Sequence, residues 1–204
     1  MKRVPPTAEG LAAAAACLRA GGVVAYPTET VYGLGVDPFN VDAVERLLEA
    51  KGRPAGNPFI MIVAETGDAD SLCEEPGEDA RLLMKAFWPG PLSLILPKHP
   101  GLPDVAAGGL GEVAVRCPAL EIARDLCRAV GGPLISTSLN RSGEPPALDL
   151  DTCVLEGIDL AVDTGALPPA KPSTVYHVAE RRVLREGPIG VGAIAAVLAG
   201  TYPG

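Results

Sequence analysis

Near its amino terminus the chain runs Val23-Val24-Ala25-Tyr26-Pro27-Thr28-Glu29-Thr30-Val31-Tyr32-Gly33-Leu34-Gly35. The four apolar residues at the start predict a short strand that Pro27 ends. Residues 31–35 predict either a second, glycine-containing strand or an extended loop. The polar turn between them follows a strand, where α/β proteins commonly bind ligands. The hydroxyls of Thr28 and Thr30 suit a small polar ligand, although a solvated proline turn is the simpler explanation of the segment taken alone.

Helical and strand patterns alternate outward from this stretch. Helices are predicted at about 8–20, from 40 or 42 to near 51–52, at 78–87, 120–130 and 192–198, with a short one near Thr152. Strands are predicted at 59–63, 92–96, 112–116, 134–137 and 160–162, and 175–178 and 183–185 can pair as a hairpin. This order predicts an α/β fold with a mixed sheet of parallel and antiparallel strands flanked by helices. No change of composition marks a linker, so residues 1–204 are expected to form a single domain.

Charge and composition limit the classes of function. The 204 residues carry 17 basic and 25 acidic side chains, a formal net charge of −8. This balance argues against a surface that clamps a nucleic-acid backbone, but it permits a local basic site. No stretch approaches the roughly 18 apolar residues of a membrane span, and the first residues lack a signal-peptide pattern. Together with scattered cysteines that favour free thiols, these features predict a cytoplasmic protein with no membrane partner.

Several familiar catalytic patterns are missing from the sequence. It has no GxxxxGK[ST] phosphate loop, and Gly33-Leu34-Gly35 lacks the third glycine of a dinucleotide fingerprint. His99 and His177 stand apart without nearby ligands, so no metal site held by protein side chains is expected. Ser138 does not lie in a GxSxG elbow, which leaves a hydrolase of that type unsupported.

Two cations follow the second predicted helix, in the sequence Lys51-Gly52-Arg53-Pro54. Lys51 and Arg53 are suited to gripping phosphate, the lysine as a point charge and the arginine as a bidentate fork. A structural role fits as well, because a lysine in the last helical turn and a glycine at the C-cap are both stabilising. Spacing alone favours neither interpretation.

Two further polar clusters follow predicted strands. One is the loop Ser136-Thr137-Ser138-Leu139-Asn140-Arg141-Ser142-Gly143. The other consists of Lys171-Pro172-Ser173-Thr174-Val175-Tyr176 and, further along, Leu184-Arg185-Glu186-Gly187. Taken alone, the first is more simply a polar loop tip and the second an alternating strand with a charge at its edge.

In this combination and order, the segments resemble the YrdC-like threonylcarbamoyl-AMP synthase family. Those that carry the resemblance are Thr28-Glu29-Thr30-Val31-Tyr32-Gly33-Leu34-Gly35, Lys51 and Arg53, Trp88-Pro89-Gly90-Pro91-Leu92, Val113-Ala114-Val115-Arg116-Cys117-Pro118, Ser138 and Asn140 with Ser142-Gly143, Ser173-Thr174-Val175, and Leu184-Arg185-Glu186-Gly187. The resemblance covers about residues 8–190. Each motif is weak by itself, and their shared order makes the set specific.

The resemblance implies a twisted mixed sheet with a concave basic cavity, in the short branch of the family that has no C-terminal accessory domain. It implies an enzyme that makes threonylcarbamoyl-AMP from L-threonine, bicarbonate and ATP, releasing pyrophosphate, for threonylcarbamoyladenosine modification of tRNA. Mg²⁺ would accompany ATP, held mainly by phosphates and water. Proteins of the tRNA-modifying complex would receive the product, and direct tRNA binding would be weak or absent.

The resemblance also implies roles for individual residues. Those expected to be catalytic and to bind ATP are Lys51, Arg53, Ser138 and Asn140. Arg185 is expected to bind ATP as well. Those expected to bind threonine are Thr28, Arg116 and Ser173.

Two alternatives stay open. Ser136-Thr137 stands where the family more often has a pair such as Ala-Pro, which leaves room for a nucleotide-binding paralogue without synthase activity. The other alternative is an RNA-binding module that uses the cavity for tRNA or double-stranded RNA. The net charge of −8 argues against it, because tracking phosphates along a strand needs a broad basic surface.

Overall fold

The computed structural model of the chain describes residues 1–52, 56, 58–153 and 155–203, which contain ten strands in one sheet and five α-helices. In chain order the elements are β1 Lys2–Val4, α1 Ala8–Arg19, β2 Val24–Pro27, β3 Tyr32–Val36, α2 Val41–Lys51, β4 Ile60–Ile62, α3 Gly77–Phe87, β5 Leu92–Pro97, β6 Glu112–Arg116, α4 Glu121–Val130, β7 Leu134–Ser138, β8 Leu160–Val162, β9 Thr174–His177, β10 Arg182–Arg185 and α5 Val191–Leu198. Short 3-10 helices lie at Thr66–Ser71 and Leu150–Thr152.

The sheet is mixed, as the sequence predicts. Its strand order is β1-β8-β2-β3-β7-β4-β6-β5-β9-β10. Strands pair in parallel between β1 and β8, β8 and β2, β4 and β6, and β5 and β9. The other neighbours are antiparallel, including the predicted hairpin of β9 and β10. After the turn that follows Pro27, residues Tyr32–Val36 form the strand β3, so the extended-loop alternative is wrong.

Two elements have no counterpart among the predictions: β1 and the 3-10 helix Thr66–Ser71. Strand β1 has three residues, and only Val4 is buried. It exists because its backbone pairs in parallel with β8, a partner more than 150 residues away. Hydrophobic periodicity cannot reveal so short a strand, since its stabilising contacts are not local.

Helix α2 begins and ends at residues that the sequence marks clearly. The side chain of Asn40 accepts a hydrogen bond from the backbone N–H of Ala43, which caps the amino end. Gly52 adopts a left-handed conformation with φ of 57° and closes the carboxyl end. Lys51 is therefore the last helical residue, and its side chain is buried beneath the sheet's polar loops.

Helices cover the two faces of the sheet unequally. Helices α2, α3 and α5 pack against one face, through apolar residues such as Leu47, Leu83 and Val197. Helices α1 and α4 pack against the other face, where Leu18 and Leu126 contact the side chains of β2, β4, β7 and β8. In the described part of the chain, no helix has the length and apolar character needed to cross a bilayer.

Helices α1 and α4 cover only part of the sheet face on which they pack. The uncovered part of that face is the floor of a cavity. Residues paired directly across neighbouring strands point to the same side of a sheet. Tyr26 pairs with Gly33, and Gly33 pairs with Ser138, so the buried tyrosine and the polar end of β7 share this face. A Cβ atom on Gly35 would lie 2.6 Å from the Tyr26 ring, so glycine in β3 makes room for the ring. The polar side chains on the part of this face that α1 and α4 do not cover therefore line the cavity.

Candidate active site

A cavity of about 720 Å³ opens on the sheet face described above. It extends across seven neighbouring strands, from β3 to β10. The polar and charged side chains that line it are those of Thr28, Thr30, Arg116, Ser136, Thr137, Ser138, Asn140, Glu144, Ser173 and Arg185. This volume lies in the range of cavities that enclose a small organic ligand.

Arg116 lies at the end of β6 and is 5% exposed. Its Nε donates a hydrogen bond of 3.1 Å to the carbonyl of Gly90, and its Nη2 forms an ion pair with Oε1 of Glu29. A Cβ atom on Gly90 would lie 2.2 Å from the carbonyl oxygen of Phe87, so this close turn requires glycine. The guanidinium is thereby fixed from two sides on the cavity wall.

Glu29 is held as an ionised carboxylate. Its Oε1 also accepts a hydrogen bond of 3.0 Å from the backbone N–H of Ala119. Burial by itself raises the pKa of Glu29, but the charge of Arg116 and the Ala119 N–H outweigh it and lower the pKa below its ordinary value. Glu29 therefore keeps its charge and orients Arg116.

Arg185 lies at the end of β10 and lines the cavity from the opposite side. Its Nε donates to the carbonyl of Ser173 over 3.0 Å, and its Nη2 donates to Ser173 Oγ over 3.1 Å. Although much of the residue is exposed, burial of the guanidinium and the positive charge of Arg116 lower its pKa. Within the described residues, no carboxylate forms an ion pair with Arg185. Two guanidiniums therefore line one cavity, and among the described residues the guanidinium of Arg116 is ion-paired whereas that of Arg185 is not.

Gly187 allows the chain after β10 to lie directly on the segment that carries Ser173. A Cβ atom at this position would lie 2.3 Å from the carbonyl oxygen of Pro172 and 2.4 Å from the backbone nitrogen of Thr174. Both are backbone atoms that cannot move aside. The motif Leu184-Arg185-Glu186-Gly187 thus ends in glycine because a larger residue would clash with this backbone.

Lys51 is 2% exposed and lies beneath the loop that follows β7. Its ammonium donates hydrogen bonds to the carbonyl of Ser138 and to the carbonyl and Oδ1 of Asn140, the last two over 2.9 Å. The backbone N–H of Ser142 in turn donates to the Lys51 carbonyl. The structure places Lys51 behind the cavity wall, where it holds the loop, and shows it contacting oxygens of that loop.

Asn140 is tied into the same loop by both ends of its amide. Its Oδ1 accepts from Ser138 Oγ as well as from Lys51, and its Nδ2 donates to the carbonyl of Glu144. Ser138 and Asn140 both line the cavity. The Ser-x-Asn motif is therefore part of the cavity wall and is held there by hydrogen bonds, so it is not a free loop tip.

Thr28 and Thr30 are buried residues that line the cavity beside Arg116. Thr28 Oγ1 donates to the Val31 carbonyl over 2.7 Å and accepts from the backbone N–H groups of Thr30 and Val31. The Thr28 hydroxyl is thus committed to shaping the turn. The solvated-turn interpretation is wrong, because this turn forms an inner wall.

Of the eight residues that the sequence singles out, six line one cavity: Thr28, Arg116, Ser138, Asn140, Ser173 and Arg185. Lys51 lies directly behind them, and Arg53 lies outside the described residues. Sequence reasoning missed Glu29 as the partner of Arg116. It also missed Ser93, a fully buried hydroxyl within the otherwise apolar strand Leu92–Pro97, whose polarity was the available signal.

The arrangement is suited to an anionic ligand. Its described lining residues carry two guanidiniums and one carboxylate, surrounded by hydroxyl and amide groups. Guanidiniums recognise carboxylate and phosphate oxygens with paired hydrogen bonds, which are strengthened where water is partly excluded. The described residues include no cluster of three or more His, Cys, Asp or Glu side chains placed to hold a metal ion.

Fold and cavity together define the class: a mixed α/β protein whose open sheet face lines a cavity with arginines and hydroxyls. Residues 16–187 match the Sua5/YciO/YrdC family model, described as telomere recombination. The chain belongs to this family. The family-level resemblance drawn from the sequence is confirmed.

Comparison with known relatives shows how much of the chain, and of each relative, the similarity covers. The threonylcarbamoyl-AMP synthase of Bacillus subtilis is 40% identical over 192 residues, covering 92% of this chain and 49% of that protein. The threonylcarbamoyl-AMP synthase of Coxiella burnetii is 39% identical over 174 residues, covering 83% of this chain and 92% of that protein. The crystal structure of Pyrococcus abyssi Sua5 complexed with L-threonine has a TM-score of 0.90 and 39% identity, covering 97% of this chain and 59% of that one. The chain thus spans about half the length of some curated relatives and nearly all of others.

Proposed function

We propose that the protein is a threonylcarbamoyl-AMP synthase, which joins L-threonine, bicarbonate and ATP and releases pyrophosphate. The observation that carries the proposal is the convergence of Arg116 and Arg185 on one cavity that the Ser138–Asn140 loop also lines. Relatives that bear this name match most of the chain, and one related structure holds L-threonine. The product would serve threonylcarbamoyladenosine modification of tRNA.

The reaction needs positive charge and positioning more than it needs a nucleophilic side chain. Threonine and bicarbonate first form a carbamate with loss of water. The carbamate oxygen then attacks the α-phosphorus of ATP, and the bond to pyrophosphate breaks. Both reactants are anions, so their approach is unfavourable unless cations stand beside them. Arg116 and Arg185 supply that charge from two sides of the cavity.

The cavity walls suggest a division of labour. Arg116 stands beside the turn that carries Thr28 and Thr30, and its guanidinium suits the carboxylate of threonine. Arg185 and Ser173 line the cavity at its β9–β10 end, whereas Ser138 lies on β7, between β3 and β6 in the strand order, and Asn140 follows it along the chain. Arg185 is proposed to contact the nucleotide phosphates, because no described carboxylate neutralises it. Arg53 remains a proposed phosphate ligand on sequence grounds.

Lys51 is proposed to act in catalysis through the loop it supports. Its ammonium fixes the carbonyls of Ser138 and Asn140 and the amide of Asn140. A buried charge that is hydrogen-bonded to several oxygens holds them in one arrangement. Lys51 would thus position Ser138 and Asn140 while contributing positive charge behind them.

Other aspects of the function are proposed from the same chemistry. Mg²⁺ would enter with ATP, bound mainly by phosphates and water. The reaction would take place in the cytoplasm, where its substrates and tRNA are found. The unstable product would pass to proteins of the tRNA-modifying complex.

Pyrophosphate release by the purified protein tests the proposal directly. Release from ATP is expected to require both L-threonine and bicarbonate, and to fall to background when either is omitted. Release that persists without threonine would point to a different nucleotide reaction. Nucleotide binding without any turnover would instead favour the non-synthase paralogue.

A matched pair of arginine variants tests the assignment of the cavity. Arg185→Ala is expected to lower kcat/KM by about two orders of magnitude, as loss of a charged hydrogen-bond donor to a transferring phosphate does. Arg182→Ala is the control, because Arg182 lies on the same strand but pairs with Glu180 at the surface. Equal activity of the two variants would place the nucleotide elsewhere.

A further inference from the structure

Ser93 is a fully buried hydroxyl in β5, between Leu92 and Leu94. Its position among apolar residues is costly unless the hydroxyl is hydrogen-bonded. Among the described residues, its one hydrogen-bond partner is Ser173 Oγ, at 3.0 Å. This contact links a residue that does not line the cavity to one that does.

The donors and acceptors near each hydroxyl determine which of the two serines donates the hydrogen bond. An unpaired buried donor costs more than an unused lone pair, and Ser173 Oγ is the one side-chain acceptor that the described residues offer to the Ser93 proton. Ser93 therefore donates to Ser173. Ser173 Oγ also accepts from Nη2 of Arg185, over 3.1 Å. Two donors occupy both lone pairs of Ser173, so its own proton is the one group left to donate.

Ser173 is 2% exposed and lines the cavity. We propose that Ser93 is a positioning residue that, together with Arg185, turns the Ser173 hydroxyl proton into the cavity as a donor to a substrate oxyanion. That oxyanion is a carboxylate or phosphate oxygen of a ligand bound beside Arg185. This inference rests on the proposed function for the identity of the substrates, L-threonine and ATP.

The test removes the Ser93 hydroxyl and follows binding and turnover separately. Ser93→Ala is expected to raise the KM of one substrate about fivefold while leaving kcat within twofold, because one oriented hydrogen bond is weakened. A rise in the KM of threonine identifies the carboxylate, and a rise in the KM of ATP identifies a phosphate. Isothermal titration with ATP and with L-threonine should show the same change in dissociation constant.

Two controls separate positioning from a loss of structure. Ser93→Thr keeps the hydroxyl and should bind the substrates as tightly as the wild-type protein does. Ser93→Val has the shape of threonine without the hydroxyl and should bind as weakly as Ser93→Ala. Thr174→Val removes another buried hydroxyl, one that exchanges hydrogen bonds with the backbone of Ile189 and does not line the cavity. It should lower the melting temperature without changing either KM.

The outcomes are distinguishable from failure of the proposed function. If the wild-type protein binds ATP or threonine but releases no pyrophosphate, the synthase proposal fails and titration still tests Ser93. Unchanged affinities in folded Ser93→Ala overturn the Ser93 proposal, as do equal affinities in Ser93→Thr and Ser93→Val. If the extra methyl group prevents both of these from folding, Ser93→Ala decides alone. A wild-type protein that binds neither substrate overturns both proposals.

Discussion

Glu29 shows how one carboxylate can set the geometry of the cavity. It pairs with Arg116 and accepts from the Ala119 N–H, which commits its charge to the protein rather than to solvent. An ion pair that is mostly buried adds little net stability, but the removal of one partner leaves the other poorly compensated. The pair therefore acts mainly to fix the Arg116 guanidinium in place.

The replacement Glu29→Gln tests this pair through its pH dependence. We expect a loss of about 2 kcal/mol in the free energy of unfolding at pH 7. The folded-state pKa of Glu29 is lowered, so the stability it contributes is present above the ordinary glutamate pKa and is lost as pH falls through the lower, folded value. Urea unfolding of both proteins should therefore show a gap that is largest near neutrality and closes in acid.

Glu121→Gln serves as the control for that measurement. Glu121 pairs with Arg124 and Arg128 on the exposed side of α4, where solvent screens the charges. Its replacement should have a much smaller effect on stability. A Glu29→Gln gap that stays constant from pH 7 into acid would contradict the assigned charge state.

The structure changes the interpretation of Lys51 more than that of the other predicted site residues. The sequence suggested a contact with phosphate, whereas in the structure its ammonium is hydrogen-bonded to the Ser138–Asn140 loop. Lys51→Met is expected to reduce kcat by at least about a hundredfold, because the Ser138–Asn140 loop loses the charge that holds it. Hydrogen exchange at the Ser142 amide, which donates to the Lys51 carbonyl, should become faster. Lys85→Met, in the last turn of α3, should change neither quantity. Lost activity with unchanged exchange would favour a direct phosphate contact instead.

At the scale of elements, the cavity depends on how closely β10 and the segment after it approach β9. The register of β9 and β10 shifts between Val183 and Arg185, which displaces the end of β10. Gly187 then contacts the backbone of the Pro172–Thr174 segment. The arginine and the serine that it contacts are thus brought together by strand pairing and a glycine rather than by their own side chains.

Gly187→Ala is expected to separate these segments. Its Cβ would meet backbone atoms at 2.3 and 2.4 Å, so the strand end must move and carry Arg185 away from Ser173. We expect a loss of about 2 kcal/mol in stability, as for overpacking in a core, together with weaker ATP binding. Differential scanning calorimetry and titration with ATP measure the two effects.

Gly192→Ala provides the opposite case. Gly192 lies in α5 and has open space around the position of a new Cβ. Alanine there should raise stability by about 0.5–1 kcal/mol through helix propensity, without an effect on ATP binding. If Gly187→Ala behaves like Gly192→Ala, the close approach described above does not exist in solution.

At the scale of the whole molecule, the net charge of −8 and the arginines of the cavity have separate roles. The acidic total describes the surface, which repels the backbone of a nucleic acid beyond the range of a few local cations. The cavity, by contrast, is lined by the two guanidiniums of Arg116 and Arg185. This separation is the reason why we propose a phosphate-bearing small molecule as the ligand and expect little binding of tRNA.

Direct binding of tRNA is accordingly expected to be weak. In a filter-binding assay at about 0.15 M salt, micromolar protein should retain little tRNA, and lowering the salt should increase retention only modestly. A purified basic RNA-binding protein serves as the positive control. Tight binding at this salt concentration would favour the RNA-binding alternative over the synthase.

The order and type of most elements, and the family, can be predicted from the amino-acid sequence. Those properties depend on local signals: apolar periodicity, the caps of α2 at Asn40 and Gly52, and the strand-ending Pro27. It also identified Arg116, Arg185, Ser138 and Asn140 as candidates, because each stands in a motif of the resemblance.

Which of these groups meet, and what each one contacts, depends on how the chain folds. The strand order brings β3 next to β7 and β5 next to β9, so that Ser138 and Ser173 both line the same cavity. It also places Lys51 beneath a loop nearly 90 residues away and gives buried Ser93 its partner. Periodicity and spacing describe neighbours along the chain, whereas hydrogen bonds and buried charges depend on partners that the sheet brings together from distant segments.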